Sequence, residues 1–399
     1  MSVFCPFAAG YFLSFCFRNV NAVISKELVA EFSLTPADLG FLTSMYLLAF
    51  AAFQLPLGVL LDRYGPRRVV ATLLCVAAGG ALAFALAREL AALSLGRALI
   101  GLGVSAGLMA AIKAFSLWFP LARLATINGL YLAVGGLGAL AATAPAEALV
   151  DALGWRGLFF LLAALTLGAA LTVFFVVPER PLPGSGERVR DQVAEFGRIF
   201  TTMTFWRIAL PVMLTQGTYV ALQGLWLGPW LYDVAGLGRH EIASYLLTTA
   251  LGYIGGSLFF GWVADRLAQR GVPRLTVLKT GLCTALAMLA LVAAGVESSL
   301  RAILVLYAFA GISGALSYAL LTPLFPPAMT GRVITASNML MFTASFVLQW
   351  SIGAVLKLYP VSDGHYASAG YSLAFSAIAL LQLAALAWLL PMRPAQPRL

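Results

Sequence analysis

Three basic residues, Arg18, Arg97 and Lys113, fall inside apolar stretches of this chain. A charge near the middle of a membrane segment costs about 2.5 to 3.5 kcal/mol on insertion scales, so each needs a compensating partner. Arg18 lies ~20 Å along its stretch, too deep for comfortable snorkelling to an interface. No acid occupies a matching interior position: Glu147 and Asp151 sit towards the end of a later stretch, and the other acids fall in loops. A guanidinium fork suits a carboxylate through two parallel hydrogen bonds. The missing partner of Arg18 is therefore expected to arrive as a small anionic ligand.

The polar residues that could complete such a site recur at helical spacing. Tyr11, Ser14, Asn21 and Ser25 share the face of Arg18, and Gln216, Tyr219, Gln223, Trp226 and Trp230 form a second stripe. Arg18 and Lys113 would clamp a carboxylate. Asn21, Gln216, Tyr219, Gln223, Ser317 and Asn338 would add polar contacts, and Trp226 an apolar wall. The same patterns have plainer readings. Small polar residues also stitch membrane helices together, and Lys113, about five residues before Trp118 to Pro120, is within reach of an interface.

The elements that must position these residues follow from composition. Of 399 residues, 61% are hydrophobic and 10% charged, against about 25% charged in soluble domains. This is an all-α polytopic membrane protein embedded in a lipid bilayer. Its formal charge of +9 is a topology signal and does not point to nucleic acid. Four cysteines without C-x-x-C spacing and two histidines, His240 and His365, give no expectation of a metal or other cofactor. No Ser/His or paired-Asp constellation lies at membrane depth, so an enzyme is not expected. No cleavable signal peptide is expected, since Arg18 interrupts the first apolar run.

At about 20 apolar residues per span, twelve segments are expected: 4–25, 36–60, 69–88, 91–117, 124–149, 156–178, 207–232, 241–264, 274–295, 300–323, 332–358 and 368–390. The polar stretch between the sixth and seventh divides the chain into a six-helix bundle (1–178), a linker with a short amphipathic helix (179–204) and a second six-helix bundle (205–399). With both termini cytoplasmic, sixteen Lys and Arg fall on the cytoplasmic side and six on the other. The positive-inside rule favours that orientation, in a bacterial inner membrane. The tetrapeptide Thr35 to Asp38 reads as a helix start, with a capping hydroxyl, a proline at the first helical position and an acid in the first turn.

Two loops repeat. "GVLLDRYGPRR" (Gly58 to Arg68) and "GWVADRLAQRGVPR" (Gly261 to Arg274) place Asp62-Arg63 and Asp265-Arg266 203 residues apart, the mark of a duplicated six-helix unit. The first loop resembles the G-x-x-x-D-R-x-G-x-R-R signature of the major facilitator superfamily, and "RALIGLGVSAG", from Arg97, resembles its fourth-helix signature. The resemblance covers the whole chain. It implies two pseudo-symmetric bundles, alternating access, and a gating rather than substrate role for Gly58, Asp62, Arg63, Gly65, Arg67, Arg68, Arg97, Asp265 and Arg266. "SMYLLAFAAFQLPLGVLLDRYGPRR" and "KAFSLWFPLAR" resemble the organic-anion branches, notably the anion:cation symporters. Their first helix often carries an Asp-Arg pair, the arginine for substrate and the acid for protons.

Arg18 matches that arginine, while Phe17 stands where the acid would be. The expected function is alternating-access secondary transport of a small organic anion by a monomer. A proton or counter-anion is the partner, and exchange, uniport and a proton carried on the substrate all fit. The alternatives are multidrug or metabolite efflux by proton antiport, which usually shows an intramembrane acid, and a non-transporting membrane sensor, which would need an appended domain.

Overall fold

The structure, a computed structural model, describes residues 2–179, 196–296, 298–326, 329–362 and 364–393, the side chains of Asp62, Leu121, Ala122, Ala125 and Thr126 excepted. Most of the expected linker, with Arg188 and Arg190, lies outside the described residues.

In the first half the helices are α1 (Phe4–Asn19), α2 (Asn21–Phe32), α3 (Pro36–Leu61), α4 (Arg63–Leu86), α5 (Leu90–Val104), α6 (Gly107–Trp118), α7 (Leu121–Ala141) and α8 (Ala144–Val176). The second half has α9 (Met203–Ala221), a π turn (Leu222–Trp226), α10 (Leu227–Asp233), α11 (Arg239–Ala268), α12 (Arg274–Ala293) and α13 (Leu300–Gly311). A 3-10 turn (Ile312–Leu316), α14 (Ser317–Leu321), α15 (Thr330–Leu356), a two-stranded hairpin and α16 (Ser368–Leu389) follow. Among the described residues nine helical stretches are long and apolar enough to cross a membrane, ten when the bent pair α1–α2 counts as one span.

The segments expected at 124–149 and 207–232 are helical but interrupted, the first between α7 and α8, the second at the π turn. The first segment also runs further than expected. It bends by 46° between α1 and α2 and continues to Phe32, so Lys26, Glu27 and Glu31 belong to the helix.

Local chemistry explains the starts and breaks. At the head of α3 the Thr35 hydroxyl accepts from the Asp38 amide, the Thr35 amide donates to the Asp38 carboxylate at 3.0 Å, and proline fills the first turn. Gly65, at φ 80 and ψ 160, lets the chain turn near the start of α4, a conformation that a Cβ would strain. The hairpin pairs Val361–Ser362 with His365–Tyr366 across Gly364. Nothing in the sequence pattern announced it.

Burial is asymmetric along the bundle. One continuous apolar core joins Phe7, Phe17 and Leu42 of the first half to Trp226, Leu231, Ile352 and Phe375 of the second. A separate core of second-half residues, among them Phe205, Leu278, Leu321, Val333 and Leu389, lies towards the end of the molecule that carries the chain terminus after α16. The halves are thus fused at one end, called here the clasped end. At the terminal end the second half packs on itself.

Candidate functional site

Arg18 sits in the last turn of α1, just before the bend, and its guanidinium points among three phenyl rings. Its central carbon lies 4.5 Å from the ring centre of Phe15, 4.8 Å from Phe342 on α15 and 5.5 Å from Phe50 on α3. Cation–π contacts of this kind contribute about 0.5–1 kcal/mol each at exposed sites and more when desolvated. They hold the head group without satisfying its N–H donors. The Arg18 Nε is buried with no hydrogen-bond partner, and among the described residues no carboxylate pairs with it. The rings come from both halves, so the cation sits where the two meet.

Phenols and amides surround this cation. Its charge is within electrostatic reach of the Tyr11 and Tyr253 hydroxyls, and Tyr318 reaches both of those groups. Tyr253 donates to Gln216 Oε1 at 3.5 Å and stacks on Tyr219, ring centres 4.3 Å apart. The Tyr318 hydroxyl donates to Asn338 Oδ1. Tyr11 stacks on Tyr131 at 4.3 Å, and Tyr131 donates to the Gly107 carbonyl at 2.7 Å. One fixed positive group within a ring of neutral hydroxyls and amides can recognise a small anion that also bears polar or aromatic groups.

The stripe Gln216–Tyr219–Gln223–Trp226 does not stay on one face. The π turn inserts an extra residue into the helical repeat, and the stripe divides there. Gln216 and Tyr219 remain with Tyr253. Gln223 instead donates to the Leu246 carbonyl at 3.1 Å, and Trp226, fully buried, donates to the Gln349 carbonyl at 2.7 Å. Trp226 thereby helps to seal the two halves together, packing beside Gly40 and Gly353. At Gly353 a Cβ would collide with the Pro36 carbonyl oxygen, so α3 and α15 touch backbone to backbone.

The other expected residues are distributed as follows. Asn21 is fully buried and donates to Thr43 Oγ1 at 3.1 Å, joining α2 to α3. Lys113 donates to the Leu61 carbonyl at 3.0 Å, at the end of α3. Ser317 is buried at the start of α14. Arg97, fully buried, donates from Nη1 to the Phe17 carbonyl at 2.9 Å and lies 5.2 Å from the Tyr46 ring; Tyr46 in turn donates to the Ser14 carbonyl. Arg97 thus fixes the turn of α1 that carries Arg18.

At the terminal end, ion pairs among the described residues join groups of the same half. Arg67 donates to the Phe174 carbonyl at 2.8 Å and, with Arg68, pairs with Glu179; Arg274 pairs with Asp265 at 2.9 Å. Arg63 lies against the Tyr64 ring, Arg266 is exposed, and Gly58 faces open space. The Asp62 side chain is outside the described residues.

The clasped end is different: beside pairs within one half, such as Arg156 with Glu31, it has ion pairs that cross between the halves. Arg239 of α11 reaches Glu27 of α2 and both Glu147 and Asp151 of α8. Lys26 places its ammonium 3.1 Å from the Tyr232 ring centre. The hairpin covers this end: His365 stacks on Tyr232 at 4.6 Å and sits 3.2 Å from Asp233, which accepts from the Tyr371 hydroxyl. Burial and the Asp233 charge push the Tyr366 phenol up to about 12.

The family model described as Major Facilitator Superfamily matches residues 7–349. The chain belongs to the major facilitator superfamily. Among curated relatives, it is similar to the probable sulfoacetate transporter SauU of Cupriavidus necator, 24% identical over 65% of this chain and 64% of that protein. The probable nitrate/nitrite antiporter NarK1 of Thermus thermophilus is 29% identical over 63% of this chain and 58% of that one. The hexuronate transporter of Escherichia coli K12 is 26% identical over 65% of each. In each case the match spans less than two thirds of the relative. Among solved structures, a bacterial homolog of the human lysosomal transporter Spinster, inward-facing and occupied, superposes with a TM-score of 0.75 at 17% identity over 98% of this chain and 94% of that one. The nucleoside transporter NupG does so with a TM-score of 0.74 at 14% identity, over 97% and 99%. Fold and relatives are those of transporters, and none of the relatives named here is an enzyme.

Within this superfamily member, the sequence drew attention to Arg18 and the polar residues, but not to the phenyl rings around Arg18. Phe50 and Phe342 carry no signal, being apolar residues on apolar helices. Phe15, three residues before Arg18, carried one, since that spacing places it on the same helical face.

Proposed function

We propose that the protein carries a small organic anion, a carboxylate, across the membrane by alternating access, and that Arg18 holds it. One observation carries the reading: a guanidinium at the junction of the two halves, with a buried Nε that nothing satisfies, stacked among phenyl rings rather than paired with an acid. An anion completes that site electrostatically. Tyr11, Gln216, Tyr253, Tyr318 and Asn338 then read the remainder of the substrate. Sulfoacetate and hexuronate, named for two relatives, are both acidic organic anions, which supports the class without naming the member.

The cross-half ion pairs and the shared core at the clasped end fit a carrier closed on that side, with its cavity facing the terminal end. By the positive-inside rule the terminal end is cytoplasmic. The test is uptake into proteoliposomes of labelled mono- and dicarboxylates, sugar acids, sulfonates, nitrate and organic cations. Uptake of organic acids that is competed by other organic acids is the expected result. Uptake confined to cations, or to nitrate, overturns it.

A further inference from the structure

The Arg18 guanidinium is a planar group, and its faces are taken by rings. Its central carbon lies over Phe15, Phe342 and Phe50 at 4.5, 4.8 and 5.5 Å from their centres. Phe50 and Phe342 themselves meet at 4.2 Å with a 44° tilt. Rings over the flat faces of a guanidinium leave its N–H edge for hydrogen bonding. A carboxylate held by that edge through two parallel bonds lies in the guanidinium plane. The first carbon beyond the carboxylate then decides the fit. In an aryl carboxylate, conjugation keeps ring and carboxylate coplanar, so the body of the ligand continues in the same plane. In a sugar acid or any other acid with a tetrahedral carbon there, substituents project above and below the plane, towards the phenyl rings.

The walls beyond this cage are of the same kind. Tyr11 meets Phe15 edge to face with ring centres 5.0 Å apart and stacks on Tyr131 at 4.3 Å and 17°. In the other half Tyr219 and Tyr253 stack at 4.3 Å and 10°. Phe15, Tyr253 and Tyr318 are half-buried, so ring surface stays open to a ligand. Such surface favours an aromatic guest, by offset stacking or edge-to-face contact.

Charge restricts the ligand as much as shape does. Arg97 is fully buried and donates to the Phe17 carbonyl, and Lys113 donates to the Leu61 carbonyl. Arg18 is therefore the cation placed to meet a ligand. A second carboxylate would enter without a cation of its own, at the cost of an unpaired charge away from water. An ammonium fares no better: among the described residues no carboxylate pairs with Arg18, and the Tyr253 and Tyr318 hydroxyls meet the amide oxygens of Gln216 and Asn338.

We propose that the ligand of this site is a flat monoanion, an aromatic ring bearing one carboxylate and no ammonium. The inference rests on Arg18 holding a carboxylate and narrows what else the ligand carries.

The test is equilibrium binding to the full-length protein in nanodiscs near neutral pH, by calorimetry, with empty nanodiscs as the blank for partitioning into lipid. Benzoate and cyclohexanecarboxylate share charge and nearly share volume, and differ in flatness. Terephthalate adds a second carboxylate to the same ring, para-aminomethylbenzoate adds an ammonium, and benzylammonium replaces the carboxylate by a cation. Benzoate should bind about tenfold more tightly than cyclohexanecarboxylate, and about tenfold or more above terephthalate and para-aminomethylbenzoate. Phe342→Leu keeps apolar volume and removes a ring, and should cut the advantage of benzoate over cyclohexanecarboxylate to about twofold or less. The ligand series on the unaltered protein decides the question even where that variant fails to fold.

Cyclohexanecarboxylate bound as tightly as benzoate, or terephthalate or para-aminomethylbenzoate bound more tightly, overturns the proposal and leaves Arg18 a carboxylate site. Binding of benzylammonium with none of benzoate or cyclohexanecarboxylate, or benzoate binding that persists in Arg18→Gln, overturns the carboxylate reading itself.

Discussion

Replacing Arg18 by glutamine should abolish tight substrate binding while leaving the fold intact, and the two effects can be sized separately. A bidentate carboxylate contact comprises two charge-assisted hydrogen bonds of about 1.5–3 kcal/mol each. Glutamine keeps one neutral donor, so a loss of about 3–4 kcal/mol is expected, a fall of ~100- to 1000-fold in affinity. Stability responds differently. Without ligand, three cation–π contacts of about 0.5–1 kcal/mol roughly offset an insertion cost of about 2.5–3.5 kcal/mol, and the Nε gains no hydrogen bond. The melting temperature should therefore move by no more than about 2 °C.

Arg18→Lys keeps the charge but loses the fork and the stacking plane, and should bind about tenfold more weakly. The assay pairs proteoliposome uptake of the best organic acid with a thermal shift of the same purified variants. Wild-type kinetics in Arg18→Gln would refute the clamp. So would a loss of uptake that merely tracks a loss of folded protein, because that outcome makes Arg18 structural.

Lys113→Gln should change the apparent KM less than about twofold, since its ammonium holds the Leu61 carbonyl; a tenfold rise in KM would return Lys113 to the substrate site. Gly65→Ala should destabilise the fold by about 1–2 kcal/mol, because Gly65 occupies φ 80, and a thermal shift near zero would show that the turn has another conformation. Gly353→Ala forces a Cβ onto the Pro36 carbonyl and should raise reagent access to the clasped end, measured by alkylation of a cysteine at position 153; unchanged access would mean that the α3–α15 seam does not hold this end closed.

Several features were legible in the chain itself because they are local. The α3 start follows from Thr35, Pro36 and Asp38, whose capping chemistry spans four residues. The membrane class follows from composition. Arg18 was legible because a charge in an apolar run violates a one-dimensional rule, whatever the fold.

The stripe on the seventh segment shows where local reading stops. Helical spacing placed Gln216 to Trp226 on one face, but the π turn at Leu222–Trp226 sends Gln223 and Trp226 to backbone carbonyls of other helices. Spacing cannot report a change in the period that it assumes. Lys113 and Asn21 likewise satisfied the pattern of cavity residues, and their hydrogen bonds to the Leu61 carbonyl and to Thr43 were invisible in sequence because these partners lie 52 and 22 residues away.

By itself, then, the sequence determined a helical membrane protein with a duplicated loop and one uncompensated arginine, all set by composition and short-range spacing. The tertiary structure alone decided that Arg18 is caged by Phe50 and Phe342, that the halves fuse at one end, and that Arg239 stands between three acids drawn from the other half. These arrangements depend on which helices become neighbours. That outcome is fixed by close packing over the whole bundle, such as the backbone contact at Gly353, and not by any stretch of chain read alone.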